Sequence, residues 1–456
     1  MGRLYHPAIY DSSRPVPSYW EATAPAPNDA DRPLVGAESC DVAVIGGGYS
    51  GLSTALHLAR DHDIEVRLLE AGQLAWGASG RNGGFCCLPA AKMSLNKMIA
   101  TFGLAETKRF YAAQVEGCDY VRELAKAENI ACDIVGSGNL EVAHDPRAFA
   151  AMKSTAERLT ALFGIETRVM SRAAFCEIGH DGSEQFGAFW MAPGFALHPL
   201  KFARGLADAA RRHGAKLHPH SAVTAWTRDG KVGHRLTTAG GELRARRVVC
   251  ATNGFYPEGL HSAFDRRLLP ALSNIVVTRP LSQAELAAQG WRLDSFATHT
   301  PVCNSRNLLF YYRLLPDRRL LFGARGDTTG RPEDGEKMRA WMERRLGEVF
   351  PAWRQVPTTH AWRGLVAVSR KFTPSVGRLA EDPSVWYGYG YHANGVNTAP
   401  WVGRLLAETI AGKADLKTAV PAVMAGQPAA IPRFLPRRWL LRGGYLCYRV
   451  ADRFLL

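Results

Sequence analysis

Gly46, Gly48 and Gly51 stand at the offsets of a G-x-G-x-x-G turn, and an acidic residue, Glu70, follows about 20 residues later. A turn of this kind holds a dinucleotide. The first glycine permits the tight bend, the second lets a pyrophosphate approach the backbone, and the third lets helix and strand pack closely. The helix that follows offers free N–H groups and a partial positive charge to the phosphates. A carboxylate at Glu70 accepts hydrogen bonds from ribose hydroxyls and repels a 2′-phosphate, which disfavours NADP. FAD and NAD share the fingerprint. GSGNLE from Gly136 and GYGYHA from Gly388 lack the third glycine, so only one copy is complete. Direct reduction of a flavin by the substrate is then the simpler reading.

The elements that must position these residues are legible around them. Val42, Ala43, Val44 and Ile45 form an apolar run that predicts a buried strand, and Leu52, Ala55, Leu56 and Ala59 fall on one face of a helix. Residues 64–69 predict a second strand ending at Glu70. Residues 92–170 are mostly of helical texture, while NLLFYYRLL and RLLFGARG predict strands of a second lobe. A chain of 456 residues fits two or three domains, and its composition is that of a globular protein. The net charge of +14 is scattered, without zinc-finger spacing or an RNP-type motif, so neither nucleic acid nor a metal is expected. The nine cysteines contain no CxxC, which suits reduced thiols and a cytoplasmic protein. No stretch approaches a membrane span. The tail IPRFLPRRWLLRGGYLCYRVADRFLL mixes arginines with aromatics; packing on the protein's own surface is expected, with peripheral membrane contact as the rival.

DVAVIGGGYSGLSTALHLA, LLEAGQLAWGASGRNGG, VVCATNGFYP and GYGYHANGVNTAPWVGRLLAE together resemble the D-amino-acid-oxidase/glycine-oxidase superfamily of FAD enzymes. SYWEATA, SGRNGG, FYYR and the arginine-rich tail are similar to its γ-glutamylputrescine oxidoreductase branch. The resemblance implies an α/β fold, with a Rossmann-type, glutathione-reductase-like FAD-binding domain and a second α+β substrate domain on a mostly antiparallel sheet. It implies an N-terminal arm over 1–37, an FAD-binding domain from 38–92, 196–262 and 358–415, a substrate domain from 93–195 and 263–357, and a basic tail over 416–456. It further implies that Ala78, Ser79, Gly80, Arg81, Asn82 and Gly83 run beside the flavin and its pyrophosphate, and that Val223 meets the adenine. Tyr49, Ser50, Ala71, Asn253 and Gly254 belong to the same motifs as cofactor-binding candidates. Cys86, Cys87 and Cys303 lack the attachment contexts of relatives with covalent flavin, so non-covalent FAD is expected.

An amine oxidised on this scaffold passes a hydride from the carbon beside nitrogen to flavin N5, giving an imine that hydrolyses, with O2 as the expected acceptor. The loop Ala393-Asn394-Gly395-Val396 opens a helix, with Asn397 or Thr398 as the expected cap and Pro400 in the first turn. Its backbone donors would stabilise charge developing on the flavin. Tyr311, Tyr312, Tyr256, Trp362, Tyr391 and His392 are candidates for an aromatic wall that keeps the amine neutral, although aromatics at strand spacing are more often core. Arg313 and Arg363 are candidates to grip a substrate carboxylate, with a surface ion pair as the rival. The alternatives are an oxidase of D- or N-methyl amino acids, and a membrane-docked dehydrogenase that hands electrons to a quinone or protein partner.

Overall fold

Val42, Ala43 and Val44 lose all solvent contact because the strand that carries them, Gly36–Ile45, takes the middle of a sheet. A strand covered on both faces has no polar side to alternate with, hence the unbroken apolar run. The computed structural model describes residues 3–230 and 233–452. Positions 1–2 of the expected arm, 231–232 of the expected FAD-binding domain and 453–456 of the expected tail lie outside the described residues.

Gly36–Ile45 is flanked by Gly241–Cys250 and Val66–Leu69, both parallel to it. Lys216–His218 extends the sheet on one side and Val385–Tyr389 on the other, again in parallel, with antiparallel Ser375–Arg378 at the edge. The helices Tyr49–His62, Pro199–Arg212 and Gly395–Ile410 bury Leu52, Leu56, Phe202, Leu206 and Leu406 in one core with Val44 and Leu68. Ala43, Ile45 and Val248 face the other way, into a second core closed by the antiparallel ribbon Ala225–Asp229 and Gly233–Thr237.

The second sheet runs in the order Thr358–Ser369, Leu268–Thr278, Leu320–Arg325, Phe310–Leu314, Val302–Asn304, Asn139–Val142, Gly187–Met191, Thr167–Ser171. Neighbours are antiparallel except Val302–Asn304 and Asn139–Val142. This is the expected mostly antiparallel sheet. The helix Pro332–Val349 packs Met342 and Leu346 onto one of its faces, beside Phe350 and Trp353. Its other face looks toward the first sheet.

Two expected boundaries differ. Residues 358–369, expected among the FAD-binding segments, pair with Leu268–Thr278 from Ser369 to Thr358 and belong to the second sheet. A half-buried alternating strand can serve either sheet, and the choice of partner is tertiary. The helix Leu95–Ala127, expected in the substrate lobe, buries Phe110, Val121 and Leu124 in the core shared with Tyr49–His62 and Gly395–Ile410.

The two ends of the chain meet. Leu4, Tyr5 and Ile9 from the arm and Leu441 and Tyr445 from the helix Arg437–Val450 form one cluster with Leu272 and Leu365 of the second sheet. The tail thus packs on its own body, while Trp439 and Leu446 keep 72% and 64% of their surface exposed. Among the described residues, no helix is long and apolar enough to cross a membrane.

Candidate active site

A cavity of about 1250 Å³ starts at the C-terminal ends of the parallel strands, at Ile45, Leu69 and Ala251, and continues across the free face of the second sheet. The crevice outside the carboxyl ends of a parallel sheet is where ligands of such folds bind.

The glycine turn is built by close approach. Gly46 has φ 111°, and a Cβ there would stand 2.8 Å from the Ala251 carbonyl oxygen. A Cβ on Gly51 would stand 1.9 Å from the Gly46 carbonyl oxygen, so Gly51 supports the turn from inside the packing and does not line the cavity. Gly48 is the N-cap of Tyr49–His62 and has no side chain to cap it, leaving the helix start open to the cavity. Ser79 Oγ accepts from the Tyr49 N–H at 2.9 Å and binds the next loop to the turn. The Glu70 carboxylate accepts from the Gly47 N–H at 2.6 Å and the Gly72 N–H at 3.1 Å. Burial pushes its pKa above the ordinary value, and the backbone donors oppose that shift. Two oxygens offer about four acceptor sites, so capacity remains for ribose hydroxyls.

Ala78, Ser79, Arg81, Asn82 and Gly83 line the cavity, as do Gly46, Gly48, Tyr49, Ser50, Glu70, Ala71, Val223, Asn253 and Gly254. Gly80 does not; a Cβ there would meet the Ala75 carbonyl oxygen at 2.4 Å, so it serves the bend. Asn82 clasps the loop, donating from Nδ2 to the Ala78 and Ser79 carbonyls and accepting at Oδ1 from the Gly84 N–H. Arg81 lies 4.0 Å over the Trp76 ring and donates from Nε to the Trp76 carbonyl. Its Nη2 is buried without a partner, and burial lowers its pKa to about 9.

Asn394, Gly395 and Val396 line the opposite wall. The cap of Gly395–Ile410 is Asn394 rather than the expected Asn397 or Thr398, and Pro400 falls inside the helix. Asn397 and Thr398 instead bond Gln114 of the neighbouring helix, which fixes them within the first turn. Asn394 makes no side-chain cap; its Nδ2 donates to the Pro89 carbonyl. His392 and Ala393 hold φ of 50° and 86°, a left-handed stretch that non-glycine residues seldom adopt and that sets the angle of the helix start.

The residues expected to do the chemistry divide by strand parity. Tyr311 lines the cavity, its hydroxyl 2.9 Å from Ser273 Oγ, whereas Tyr312 faces the other side and meets His180 Nε2 at 3.0 Å. Successive side chains on a strand point to opposite faces, so Tyr312 is corrected from pocket wall to core. Arg363 is corrected likewise: Gly364 lines the cavity and Arg363 pairs with Asp327 at 2.9 Å behind the sheet. Trp362 and Arg313 share the cavity face but lie beyond the cavity's end. Trp362 donates from Nε1 to the Arg81 carbonyl, and Arg313 donates to the Leu197 carbonyl at 2.7 Å with its guanidinium 5.4 Å over Trp20. Both are structural supports, and neither candidate arginine is free to grip a carboxylate. His392, Tyr391 and Tyr256 do line the cavity. Burial lowers the His392 pKa to about 3, and its Nε2 lies 3.2 Å from the Thr373 carbonyl, so it is neutral and no strong base.

Several charged residues without any local motif escaped the sequence reading and line the cavity as well, Arg158, Glu258 and Arg306 among them. Lys92, Glu141 and Arg325 line the half of the cavity farthest from the glycine turn, among Phe189, Met191, Cys303 and Tyr311. The sheet register, unreadable from one chain segment, brings Glu141 and Arg325 to one face, and the loop before Leu95–Ala127 adds Lys92.

Comparison with known proteins agrees with this geometry. The family described as DAO, FAD dependent oxidoreductase, matches residues 41–409. The chain is 30% identical over 387 residues to γ-glutamylputrescine oxidoreductase of Escherichia coli (strain K12), covering 83% of this chain and 85% of that one. It is 31% identical over 451 residues to the probable oxidoreductase OrdL of Rhizobium meliloti (strain 1021), covering 96% and 97%. The crystal structure of glycine oxidase from Geobacillus kaustophilus superimposes with a TM-score of 0.67 at 22% identity, over 85% of this chain and 100% of that one, a likeness of fold. Because the matched stretch carries every part of the cradle, from the Gly46 turn to the Gly395 helix start, the chain belongs to the DAO family of FAD-dependent oxidoreductases.

Proposed function

We propose that this enzyme oxidises a carbon–nitrogen bond of a small amine, γ-glutamylated or otherwise carboxylate-bearing, with non-covalently held FAD and with O2 as the acceptor. The observation that carries this reading is continuity: the dinucleotide cradle and an aromatic chamber on the second sheet are one cavity. The residues present suit FAD. The open start of Tyr49–His62 and the orphaned Arg81 Nη2 would donate to a pyrophosphate, Glu70 would accept from ribose hydroxyls, and Val223, which lines the cavity, would meet the adenine.

Bound FAD supplies a two-electron acceptor for the hydride leaving the carbon beside nitrogen, and the product imine hydrolyses to an aldehyde or keto compound. The chain supports that step in two ways. Tyr311 and Tyr391 make an aromatic wall that favours the neutral amine, the form able to release hydride. The backbone N–H groups at the uncapped start of Gly395–Ile410 face the cavity as fixed donors for developing negative charge. No strong base is required of His392. Burial pushes the Cys86 and Cys87 thiols well up and Cys303 to about 12, which makes them poor nucleophiles and supports non-covalent attachment.

Purified protein mixed with FAD is expected to show flavin absorbance bands, and acid precipitation should release all of the flavin to the supernatant. Anaerobic addition of an amine panel should bleach the bands, and air should restore them. Bands absent after FAD addition would remove the cofactor assignment, flavin retained in the pellet the non-covalent one, and bleaching that air does not reverse the assignment of O2.

A further inference from the structure

The far half of the cavity holds charges that the hydride step does not use. Across the second sheet, Glu141 sits beside Cys303, Cys303 beside Tyr311, and Tyr311 beside Gly323. Arg325 is two residues along from Gly323 and so shares its face. Three strand spacings separate Glu141 from the strand of Arg325, about 14 Å of backbone at 4.8 Å each. Lys92 enters from the loop above, its backbone N–H donating to the Phe372 carbonyl. All three charges act on the Cys303 thiol, which lies among them.

None of the three side chains makes a hydrogen bond or ion pair with another described residue. Glu141 and Arg325 are half-buried, and partly enclosed charges left this way are costly unless a ligand completes them, while Lys92 is exposed and lines the cavity. Asn139 shares the face of Glu141 two residues away, lines the same cavity, and has a buried Oδ1 without a partner. The site therefore presents two cationic donors, Lys92 and Arg325, together with an acidic and an amide acceptor, Glu141 and Asn139.

We propose that Lys92 and Arg325 bind the carboxylate, and Glu141 with Asn139 the ammonium, of an α-amino-acid head group at the end of the substrate remote from the oxidised carbon–nitrogen bond. This rests on the amine-oxidation reading and makes it more specific. The substrate class is an amine tethered to an intact amino-acid terminus, as in a γ-glutamyl amide of a diamine. Arg313 and Arg363, engaged elsewhere, take no part.

The test uses the holoenzyme and four amines: a γ-glutamyl diamine, the glutaryl amide lacking the α-ammonium, the 4-aminobutyryl amide lacking the carboxylate, and the bare diamine. Dissociation constants come from the concentration dependence of anaerobic flavin bleaching, separately from the limiting reduction rate. Loss of either head-group charge is expected to weaken binding roughly 10- to 100-fold, as for a hydrogen bond to a charged group. Glu141→Gln should cut the advantage of the γ-glutamyl over the glutaryl amide by about tenfold or more. Arg325→Met, and Lys92→Met on its loop should the sheet variants fail to fold, should cut the advantage over the 4-aminobutyryl amide instead. A bare diamine that binds as tightly as the γ-glutamyl compound, or variants that shift all four amines by one factor, would overturn the proposal. If no amine bleaches the bound flavin, it is the amine-oxidation reading that fails.

Discussion

Replacing Gly51 with alanine tests whether the dinucleotide turn is held by backbone packing. The new Cβ would stand 1.9 Å from the Gly46 carbonyl oxygen, 3.1 Å from its carbon and 3.2 Å from Val44 Cγ1. An ordinary contact needs about 3.2 Å, so the helix Tyr49–His62 must retreat from the strand by about 1.3 Å. Its neighbours Val44, Leu52 and Leu56 have no exposed surface and no room to follow. Overpacking of this kind costs about 3 kcal/mol, the upper end of the usual range, because the obstacle is backbone. Gly48→Ala is the control. Its Cβ would stand 2.9 Å from Ser79 Oγ, a side chain that can rotate away at the cost of its bond from the Tyr49 N–H, about 1 kcal/mol, so the fold should survive while the methyl occupies the wall proposed for the diphosphate. Denaturant unfolding of the apoproteins and titration with FAD, followed by quenching of flavin fluorescence, separate the effects. Gly51→Ala should lose stability and FAD together, whereas Gly48→Ala should lose no more than about 1 kcal/mol of stability and bind FAD about tenfold or more weakly. An apo Gly51→Ala protein as stable as the parent would refute the packing argument.

Parity predicts that Tyr311→Phe changes the kinetics of flavin reduction, whereas Tyr312→Phe leaves the His180 Nε2 without a partner and costs stability, about 1 kcal/mol by denaturation; equal kinetic effects would contradict it. Burial holds His180, His198 and His392 at about 3. Between pH 6.5 and 3 the unfolded chain binds protons there and the folded chain does not, so these residues lower stability as pH falls, by up to roughly 1.4 kcal/mol per pH unit for each histidine. Urea midpoints at pH 7.5 and 5.5 should show the decline, and a flat profile would count against it. Tyr445→Ala should uncouple the tail helix from Leu4 and Tyr5 at a cost of about 3 kcal/mol, with proteolysis of the tail as the readout; an intact, protease-resistant tail would show that the cluster does not hold it.

What the chain states on its own is what is local. The turn at Gly46, Gly48 and Gly51 and its acceptor Glu70 belong to one strand–turn–helix–strand unit, and the approach of Gly51 to the Gly46 carbonyl arises inside that unit, whereas Gly46 is also pressed from outside it by the Ala251 carbonyl. The loop at Gly395 was readable as a helix start for the same reason, although its cap moved to Asn394 once Gln114 from another helix engaged Asn397 and Thr398. Tertiary structure decided whatever depends on which face of a strand is covered. FYYR contains two adjacent tyrosines of identical propensity, and the core that covers one side of the sheet, with His180, Phe322 and Phe350 against Tyr312, takes that residue and leaves Tyr311 in the cavity. The arginines next to them were equally ambiguous, since Arg363 found Asp327 and Arg313 found a carbonyl in segments distant along the chain. Lys92, Glu141 and Arg325 carry no shared motif because they come from separate strands and a loop. Register across four strands is what brings them together, and register is set by pairing between segments that no local pattern can specify.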